Sequence, residues 1–398
     1  MALAAAAPSA WDPCQATSRS RSRPPSNSPD APSMDGFTVT DLAQIPSPSL
    51  LVFQERVEEN LRRMVAMAGG PDRLRPHVKT HKLAPLVRQQ LDLGITRFKC
   101  ATIAEAEMTA TVGAPDILLA YPLVGPNVRR FHALVRAFPR TRFSTLIDSP
   151  SAIRELGHHD LSQPIDVLVD LDIGQHRTGV TPGPAAVELV HIVQRTTGLR
   201  FDGLHAYDGH IHDSDTTARR NACDAAFEPV ERLRHDLERA GVAVPRIVAG
   251  GTPTFPIHAQ RPGIECSPGT CVLWDAGYAA KMPDLDFLTA AVLLSRVVSR
   301  PTPTRLCLDL GHKAVASEMP HPRVRLLDLP QATPVGHNEE HLVIETPDAE
   351  NWPVGSTVLG IPWHICPTVA LHSEAWVVKQ GRVADRWRIE ARARQLSI

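Results

Sequence analysis

The sequence lacks any long apolar run and any excess of charge of one sign. Its 42 Lys and Arg residues are balanced by 43 Asp and Glu residues, so the formal net charge is −1. No apolar stretch reaches the length that spans a bilayer, and a nearly neutral chain has no electrostatic attraction for nucleic acid or anionic membranes. With 398 residues and 43% hydrophobic content, the chain can bury a large core. We therefore expect a globular protein that acts on a small molecule, without a nucleic-acid or membrane partner.

Paired cysteines are also missing. The seven cysteines are odd in number, scattered, and include no C-x-x-C pair. This pattern argues against a disulfide framework and favours a reducing compartment, so we expect a cytoplasmic protein in which one cysteine is free to bind a metal.

Residues 1–33 lack the apolar periodicity of the rest of the chain. They are Ala-rich, then rich in Ser, Arg and Pro, and such a composition cannot repay the entropy lost on ordering. We predict a disordered tail. An Arg- and Ser-rich transit peptide is the alternative, which Asp12 and Asp30 weaken. Met34 is a second possible start of translation.

From residue 57 onward, extended apolar segments alternate with helical ones, which is typical of a parallel sheet wrapped by helices. Eight strand candidates lie at about 75–79, 95–100, 116–121, 142–148, 165–172, 200–208, 246–250 and 264–268. This count predicts a (β/α)8 TIM-type barrel over residues 34–280. A doubly wound sheet also alternates, but it rarely needs eight strands in one unbroken series.

After residue 280 the pattern changes to short strands separated by Pro, Gly and Asn, without intervening helices. Residues 281–398 are therefore predicted to form a second, all-β domain. The segment 34–50 has no helical period and is a further candidate to pack with this domain.

Chemistry in a barrel of this type lies at the carboxyl ends of its strands, where a phosphate commonly binds the loops after strands seven and eight. Lys79 ends the first predicted strand, and Gly250-Gly251-Thr252 follows the seventh. A Gly-Gly-Thr turn offers backbone N–H groups unshielded by side chains, as an anion requires. Most lysines are merely solvated, but a lysine across the mouth from such a turn suggests pyridoxal phosphate, held as a Schiff base by Lys79.

Seven sequence blocks resemble one enzyme group in the expected order. They are RPHVKTHK, DIGQHRTGV, GLHAYDGH, AGGTPTFP, DLGHKAV, HNEEH and PWHICPTV. The chain resembles the fold-type III pyridoxal-phosphate enzymes, specifically the D-threonine aldolase and D-serine dehydratase branch. The resemblance implies that Lys79 holds the cofactor aldehyde, Arg177 bonds the ring hydroxyl, and Tyr207 packs against the pyridine ring. It implies that Gly250, Gly251 and Thr252 cradle the phosphate.

One position departs from the related alanine racemases. Those enzymes carry an arginine facing the pyridine nitrogen just before the Pro-Gly of the eighth strand, and here that residue is Ser267. Glu265 is an alternative partner for the nitrogen.

His364 and Cys366 are the predicted metal ligands. If this stretch is an extended strand, positions i and i+2 point the same way, and an imidazole with a thiolate suits Zn²⁺. An H-x-C pair alone is a weak signal, and the resemblance strengthens it. Zn²⁺ and Mn²⁺ both remain open. The resemblance associates His-x-Cys with dehydratases and His-x-Asp with many aldolases, so this pair leaves the reaction open.

Further histidines and carboxylates are less specific. His81 is our candidate catalytic acid or base beside Lys79, with His210 and His212 as alternatives among 18 histidines. The cluster 338–341 is either a solvated turn or a support for the metal through Glu340 or His341.

The resemblance implies a lyase that acts on β-hydroxy D-amino acids. A D-threonine aldolase reaction is preferred, with D-serine dehydratase as the alternative. A racemase, a non-catalytic carrier of the cofactor and an inactive barrel that serves as an interaction surface are less favoured. The resemblance also implies a homodimer, because fold-type III sites are usually completed by a partner subunit.

Overall fold

The computed structural model of the protein describes residues 36–398. The tail predicted over 1–33 lies outside the described residues. The described chain enters through strand β1 (Ser49–Phe53) and helix α1 (Gln54–Ala68). Helix α1 ends where Gly69 adopts a left-handed conformation with φ +79°, which satisfies orphan carbonyls of the last turn at no steric cost.

A curled parallel sheet follows, and it confirms the predicted barrel architecture. Its strands, in both chain and spatial order, are β2 (Arg97–Cys100), β3 (Asp116–Pro122), β4 (Arg142–Ile147), β5 (Ile165–Leu171), β6 (Leu199–Ala206), β7 (Ile247–Ala249) and β8 (Ile264–Cys266). The helices that alternate with them are α2 (Ala84–Asp92), α3 (Ile103–Thr111), α4 (Pro126–Ala137), α5 (Pro150–Gly157), α6 (Pro184–Arg195), α7 (Thr216–Arg239) and α8 (Phe255–His258).

The first predicted strand, 75–79, is not a regular strand. Single parallel bridges join Leu74 to Cys266 and His77 to Lys99, so this segment lies between β8 and β2 and closes the curl. Pro76 has no N–H to give to a ladder. The chain then tightens into a 3-10 turn, Val78–Thr80, and Lys79 therefore lies on a turn.

The second sheet is mostly antiparallel, as predicted for the C-terminal region. Its strands after the barrel are β9 (Ala291–Thr302), β10 (Arg305–Leu308), β11 (Val324–Leu326), β12 (Thr333–His337), β13 (Leu342–Glu345), β14 (Thr357–Pro362), β15 (Glu374–Lys379) and β16 (Arg382–Arg388). Short helices α9 (Ala276–Lys281) and α10 (Ile365–Leu371) accompany them. Strand β1 also belongs to this sheet, because it pairs with β9 and β15.

Alternate residues of this second sheet pack into two cores. Leu50 and Leu293 join the apolar core shared with the barrel, whereas Leu51, Val292 and Leu294 join a separate cluster on the opposite face. Successive side chains of a strand point to opposite faces of the sheet, which explains this division. The sheet is thus held against the barrel on one face.

Ion pairs fill the amino end of the barrel. This basal ion cluster consists of Arg75, Asp116, Arg142, Asp166, Asp202, Arg246 and Glu265. Arg75 is fully buried and pairs with Asp116 at 2.7 Å and with Glu265 at 2.6 Å. Glu265 therefore faces the basal ion cluster, which corrects the suggestion that it pairs with the pyridine nitrogen.

No helix within residues 36–398 is long and apolar enough to cross a membrane.

Candidate active site

Lys79 lies at the carboxyl end of the barrel, on the turn that closes the sheet. His77 caps this turn, because its Nδ1 accepts a hydrogen bond from the Lys79 backbone N–H at 3.3 Å. The Lys79 amine lies 5.6 Å from the centre of the Tyr207 ring. The lysine predicted to hold the cofactor and the ring predicted to pack against it are therefore neighbours.

Tyr207 has room for its ring only because small residues flank it. A Cβ on Gly209 would lie 2.4 Å from the ring, and one on Gly251 would lie 3.2 Å from it. The guanidinium carbon of Arg177 is 5.1 Å from the ring centre, and the amine of Lys99 is 5.4 Å from it. Two amines and one guanidinium thus surround one aromatic ring, whose quadrupole attracts their charged forms.

The Gly250-Gly251-Thr252 turn directly follows β7. Gly250 has φ +77°, a conformation that favours glycine. The hydroxyl of Thr252 accepts hydrogen bonds from the backbone N–H groups of Gly269, at 3.2 Å, and Thr270, at 3.1 Å. Thr252 therefore joins the two loops that the barrel architecture assigns to a phosphate.

A buried polar network supports this turn from behind. Thr254 accepts a hydrogen bond from the Gly251 N–H at 3.3 Å and donates one to Asp208 at 2.9 Å. Asp208 in turn lies 2.8 Å from His258 Nε2. A Cβ on Gly250 would lie 2.6 Å from the His258 ring. The backbone of the turn is therefore fixed by side chains from the loop after β6 and from α8 with its N-cap.

Asp208, Cys223 and His258 have ligand atoms within 4.8 Å of one another, the composition of a metal site. However, Arg261 lies 2.7 Å from His258 Nδ1. Because a guanidinium can only donate, Nδ1 accepts and Nε2 carries the proton that faces Asp208. Burial also raises the pKa of Cys223 to about 11. We therefore interpret the group as a hydrogen-bond network that supports the turn.

Asp170 connects the Arg177 loop to β6. It accepts a hydrogen bond from the Thr178 hydroxyl at 2.8 Å and pairs with His205 Nδ1 at 2.6 Å. Burial lowers the pKa of His205, and the Lys99 cation lowers it further. His205 is therefore neutral near pH 7, and within residues 36–398 its buried Nε2 has no partner.

His364 and Cys366 come together at the start of α10. His364 is the N-cap of that helix and Cys366 lies in its first turn, so the extended-strand geometry that we expected is wrong although both side chains reach the same region. The Cys366 sulfur is 3.2 Å from the Thr80 hydroxyl and 3.5 Å from the Thr270 hydroxyl. The predicted metal pair is thereby tied to the residue after Lys79 and to the loop after β8.

The electrostatics of this pair favour an imidazolium next to a thiolate, so a metal that binds here must displace the proton of His364. Burial would raise the pKa of Cys366, but the neighbouring His364 lowers it below its ordinary value. Burial would lower the pKa of His364, but Cys366 and Glu318 raise it to about 9. Glu318 lies 2.5 Å from His364 Nδ1, where a carboxylate can orient a ligating imidazole.

A cavity of about 240 Å³ opens between the two sheets, next to Tyr207 and His364. Apolar side chains such as Met319 and Trp363 line it, together with Asp275. Burial raises the pKa of Asp275 to about 6 although three backbone N–H groups oppose the shift. The cavity can hold a small molecule between the Lys79 region and the His364–Cys366 pair.

His81 has a different environment from Lys79. Its Nδ1 accepts the Leu83 N–H at 3.1 Å, and burial lowers its pKa to about 3. It is therefore neutral and weakly basic at neutral pH. His210 packs against Gly174, and His212 lines the cavity. A role for any of these three histidines as acid or base stays a prediction.

The cluster 338–341 is exposed and lies on a turn. Glu339 and Glu340 pair with Lys313, at 2.5 Å and 3.4 Å. These contacts fit a solvated turn, and among the described residues neither glutamate has an ion pair with His364. The structure does not bring this cluster to the predicted metal pair within one chain.

Sequence reasoning missed Lys99, Asp170, Glu318 and Thr80. Lys99 and Asp170 lie near the carboxyl ends of β2 and β5, so the strand-end rule that selected Lys79 could also have selected them. Glu318 gave no comparable signal, because only the fold brings it to His364.

The residues present fit pyridoxal phosphate. An amine, a planar ring and a glycine turn without side chains face one region, and the buried Ser267 hydroxyl has no partner among residues 36–398. A cofactor with an aldehyde, an aromatic ring and a phosphate can use each of these groups.

Comparison with known proteins agrees with this geometry. Residues 52–273 match the family model of the alanine racemase N-terminal domain, and residues 290–378 match that of a putative serine dehydratase domain. The chain is 32% identical to a D-threonine aldolase from Arthrobacter sp over 361 residues, covering 88% of this chain and 94% of that protein. It is 28% identical to a 3-hydroxy-D-aspartate aldolase from Paracoccus denitrificans, covering 92% and 96%.

A solved structure agrees as well. The crystal structure of D-threonine aldolase from Filomicrobium marinum superposes with a TM-score of 0.82 at 28% identity, covering 88% of this chain and 97% of that one. The chain therefore belongs to the D-threonine aldolase and D-serine dehydratase branch of the alanine racemase-like, pyridoxal-phosphate-dependent lyases.

Proposed function

We propose that this protein is an aldolase that cleaves β-hydroxy D-amino acids, of which D-threonine is the model substrate, into glycine and an aldehyde. The observation that carries the proposal is that the Lys79 turn contacts the His364–Cys366 pair: Thr80, next to Lys79, lies 3.2 Å from the Cys366 sulfur. An amine for the cofactor and an imidazole–thiolate pair for a metal thereby share one cleft. The 32% identity to a D-threonine aldolase over 94% of its length supports the same reaction.

Each end of pyridoxal phosphate has residues suited to hold it. Lys79 would bind the aldehyde, Arg177 the ring hydroxyl, and Gly250, Gly251 and Thr252 the phosphate. Tyr207 would support the ring. When bound, the cofactor withdraws electrons from the α-carbon of the amino acid.

A divalent cation, Zn²⁺ or Mn²⁺, would be held by His364 and Cys366. Two protein ligands leave coordination positions for water and substrate. His364 and Cys366 would place that cation where it would supply Lewis-acid chemistry at the β-hydroxyl group. Glu318 would orient His364.

In the proposed reaction the β-hydroxyl group loses a proton, the Cα–Cβ bond breaks, and its electron pair remains on the α-carbon. A proton then adds to that carbon, so D-threonine gives glycine and acetaldehyde. The apolar walls formed by Met319 and Trp363 would exclude water from the β-substituent.

A dehydratase is the second candidate, and the His364–Cys366 pair favours it because the family resemblance associates His-x-Cys with dehydratases. The match of residues 290–378 to a putative serine dehydratase domain agrees. There the α-proton leaves, hydroxide departs from the β-carbon, and D-serine gives pyruvate and ammonia.

The deciding experiment incubates purified protein with pyridoxal phosphate and Mn²⁺ or Zn²⁺. D-threonine and D-serine are supplied in parallel, and acetaldehyde is scored against pyruvate. We expect acetaldehyde from D-threonine to dominate, and pyruvate alone would establish the dehydratase instead. Equal consumption of the L-enantiomers would contradict the assignment to D-amino acids.

Chelation is the second arm of this experiment. The aldolase and dehydratase proposals both expect activity to fall after exhaustive treatment with a chelator and to return with added metal. Racemisation that survives chelation would instead identify a racemase.

We also propose that the protein is a homodimer. Tyr121 and Val124, at the end of β3 and just beyond it, are 56% and 63% exposed, and exposed apolar side chains at the active-site end of a barrel suit a covering subunit. Light scattering after size exclusion would give a dimer mass, and a monomer mass at micromolar concentration would contradict the proposal.

A further inference from the structure

Lys99 is buried at the barrel mouth, and the proposed function gives it no role. It is the third residue of β2 and bridges His77, two residues before Lys79. Its exposed fraction is 3%. Its amine lies 5.4 Å from the centre of the Tyr207 ring, and that of Lys79 lies 5.6 Å from the same centre. Two amines therefore face one ring.

The Lys99 amine is unpaired. Within residues 36–398 it has neither an ion pair nor a hydrogen bond, whereas Lys82 pairs directly with Glu105. Burying an ammonium group without a partner is costly, so a lysine kept in this state inside a cleft is a functional-site candidate.

The charged and titratable groups that face Lys99 come from several elements, namely Arg75, His77, Lys79, Asp170, His205 and Asp208.

The anions among them are engaged elsewhere. Asp170 bonds Thr178 and His205, and Asp208 bonds Thr254 and His258. Both histidines that face Lys99 are neutral near pH 7, because burial lowers their pKa.

This environment leaves Lys99 with a free lone pair near neutral pH. Burial, followed by the Lys79 cation, lowers the pKa of Lys99 to about 7, although Asp170 and Asp208 act in the opposite direction. An amine with a pKa near the working pH is suited to accept a proton and return it.

We infer that Lys99 is a catalytic base that takes a proton from the α-ammonium group of the incoming amino acid as that amino acid replaces Lys79 on the cofactor. One N–H bond of the substrate breaks and one forms at Lys99 Nζ, and the free substrate amine keeps the electron pair. The proton returns to the amino group when the product leaves. The inference rests on the proposed function, because it requires Lys79 to hold pyridoxal phosphate.

The test uses the holoenzyme and D-alanine, which has no β-hydroxyl group and so cannot undergo the cleavage. Stopped-flow absorbance follows the exchange of the cofactor from Lys79 to D-alanine between pH 6 and pH 9. In the wild type the rate should rise with pH and then level off below the pH at which the substrate ammonium group titrates, as expected for a base whose pKa burial lowers.

In Lys99→Met the exchange should be slower by roughly 10²-fold at pH 7. Its rate should keep rising with pH until the substrate's own ammonium group titrates, because only the free amine then reacts. Lys99→Arg should resemble Lys99→Met, because arginine keeps the charge but cannot accept a proton. Added imidazole, a base that forms no stable imine with the cofactor, should partly restore the rate in Lys99→Ala.

The exposed Lys379 of β15 provides the control, and Lys379→Met should match the wild type. Circular dichroism checks folding, and Lys99→Arg provides a second variant should Lys99→Met fail to fold. Normal cofactor absorbance with an unchanged pH profile in both Lys99 variants would overturn the role of Lys99 alone. A wild-type protein without bound-cofactor absorbance would overturn the proposed function with it.

Discussion

The two ends of the barrel differ in whether their charged side chains have partners of opposite charge. At the amino end every charge of the basal ion cluster has a partner, as in the bonds from Arg142 to Asp166 at 2.5 Å and to Asp202 at 2.7 Å. At the carboxyl end the amines of Lys79 and Lys99 face a ring and a cavity, and among the described residues neither has a carboxylate partner.

This difference separates stability from chemistry. Removing one partner of a buried charge pair destabilises the fold strongly, so substitutions at the amino end should lower stability. Unpaired amines cost stability but remain available to an aldehyde and to protons, so the carboxyl end carries the reaction. Substitutions at the amino end should therefore change the free energy of unfolding, and substitutions at the carboxyl end should change the activity.

The largest effect is expected at the carboxyl end. In Lys79→Ala, D-threonine cleavage should fall by about 10⁴-fold, because no other residue can replace a covalent nucleophile of this kind. The melting temperature of the cofactor-free protein should not fall. Acetaldehyde release and thermal denaturation measure the two quantities, with Lys379→Met as the control. If Lys79→Ala lost its fold together with its activity, the proposed separation of stability at the amino end from chemistry at the carboxyl end would be contradicted.

At the amino end, Arg75→Met should lower the free energy of unfolding by about 3–5 kcal/mol, because Asp116 and Glu265 then lose their fully buried partner and keep only the more exposed Arg246 and Arg97. Urea denaturation measures this loss. Arg136→Met provides the matched control, because Arg136 pairs with Asp160 at the surface and should change the free energy by less than about 1 kcal/mol. Equal losses in both variants would contradict the account of the basal ion cluster.

The basal ion cluster should also give the protein a specific sensitivity to acid. Burial would raise the pKa of Asp116, but Arg75 and Arg246 lower it from 3.8 to about 2. A lowered carboxyl pKa stabilises the fold above the unfolded value and loses that contribution as pH falls through the folded value. Between about pH 4 and about pH 2 the wild type should lose about 2 kcal/mol through Asp116. Urea titrations at each pH would show a smaller loss in Arg75→Met.

A smaller effect is expected where the two phosphate loops meet. Thr252→Val keeps the shape of the side chain but leaves the N–H groups of Gly269 and Thr270 without their acceptor, so the affinity for pyridoxal phosphate should fall roughly tenfold, or about 1.4 kcal/mol. Fluorescence titration of the cofactor-free protein measures this affinity. Thr333→Val on the exposed strand β12 should leave the affinity for the cofactor unchanged. An equal loss of affinity in Thr333→Val would show that the effect of Thr252→Val is not local.

The fold could be predicted from the sequence because apolar residues recur with the period of a strand and then with that of a helix, in alternation along the chain. The family assignment is also confirmed. The prediction of the first strand was wrong. The apolar pattern could not show that Pro76 interrupts the hydrogen-bond ladder and leaves Lys79 on a turn. His364 and Cys366 were selected with the wrong geometry, since Pro367 lies in the first turn of a helix and not in a strand.

Other parts of the site required the three-dimensional structure. Nothing in local sequence links Thr254 and Arg261 to the phosphate turn, because their contacts with Asp208 and His258 depend on how α8 packs against β6. Lys99 was overlooked because a lysine inside a strand is ordinarily solvated. Its place near the carboxyl end of β2 was a usable signal, but its burial next to Tyr207 required the structure.

The central claim concerns the covalent bond between Lys79 and the cofactor. The most direct measurement reduces the purified holoenzyme with borohydride, digests it and maps the pyridoxyl label by mass spectrometry. The account predicts a label on Lys79, in the peptide that contains His77 and Thr80. A label on a different lysine, Lys99 included, or no label on any lysine would contradict it.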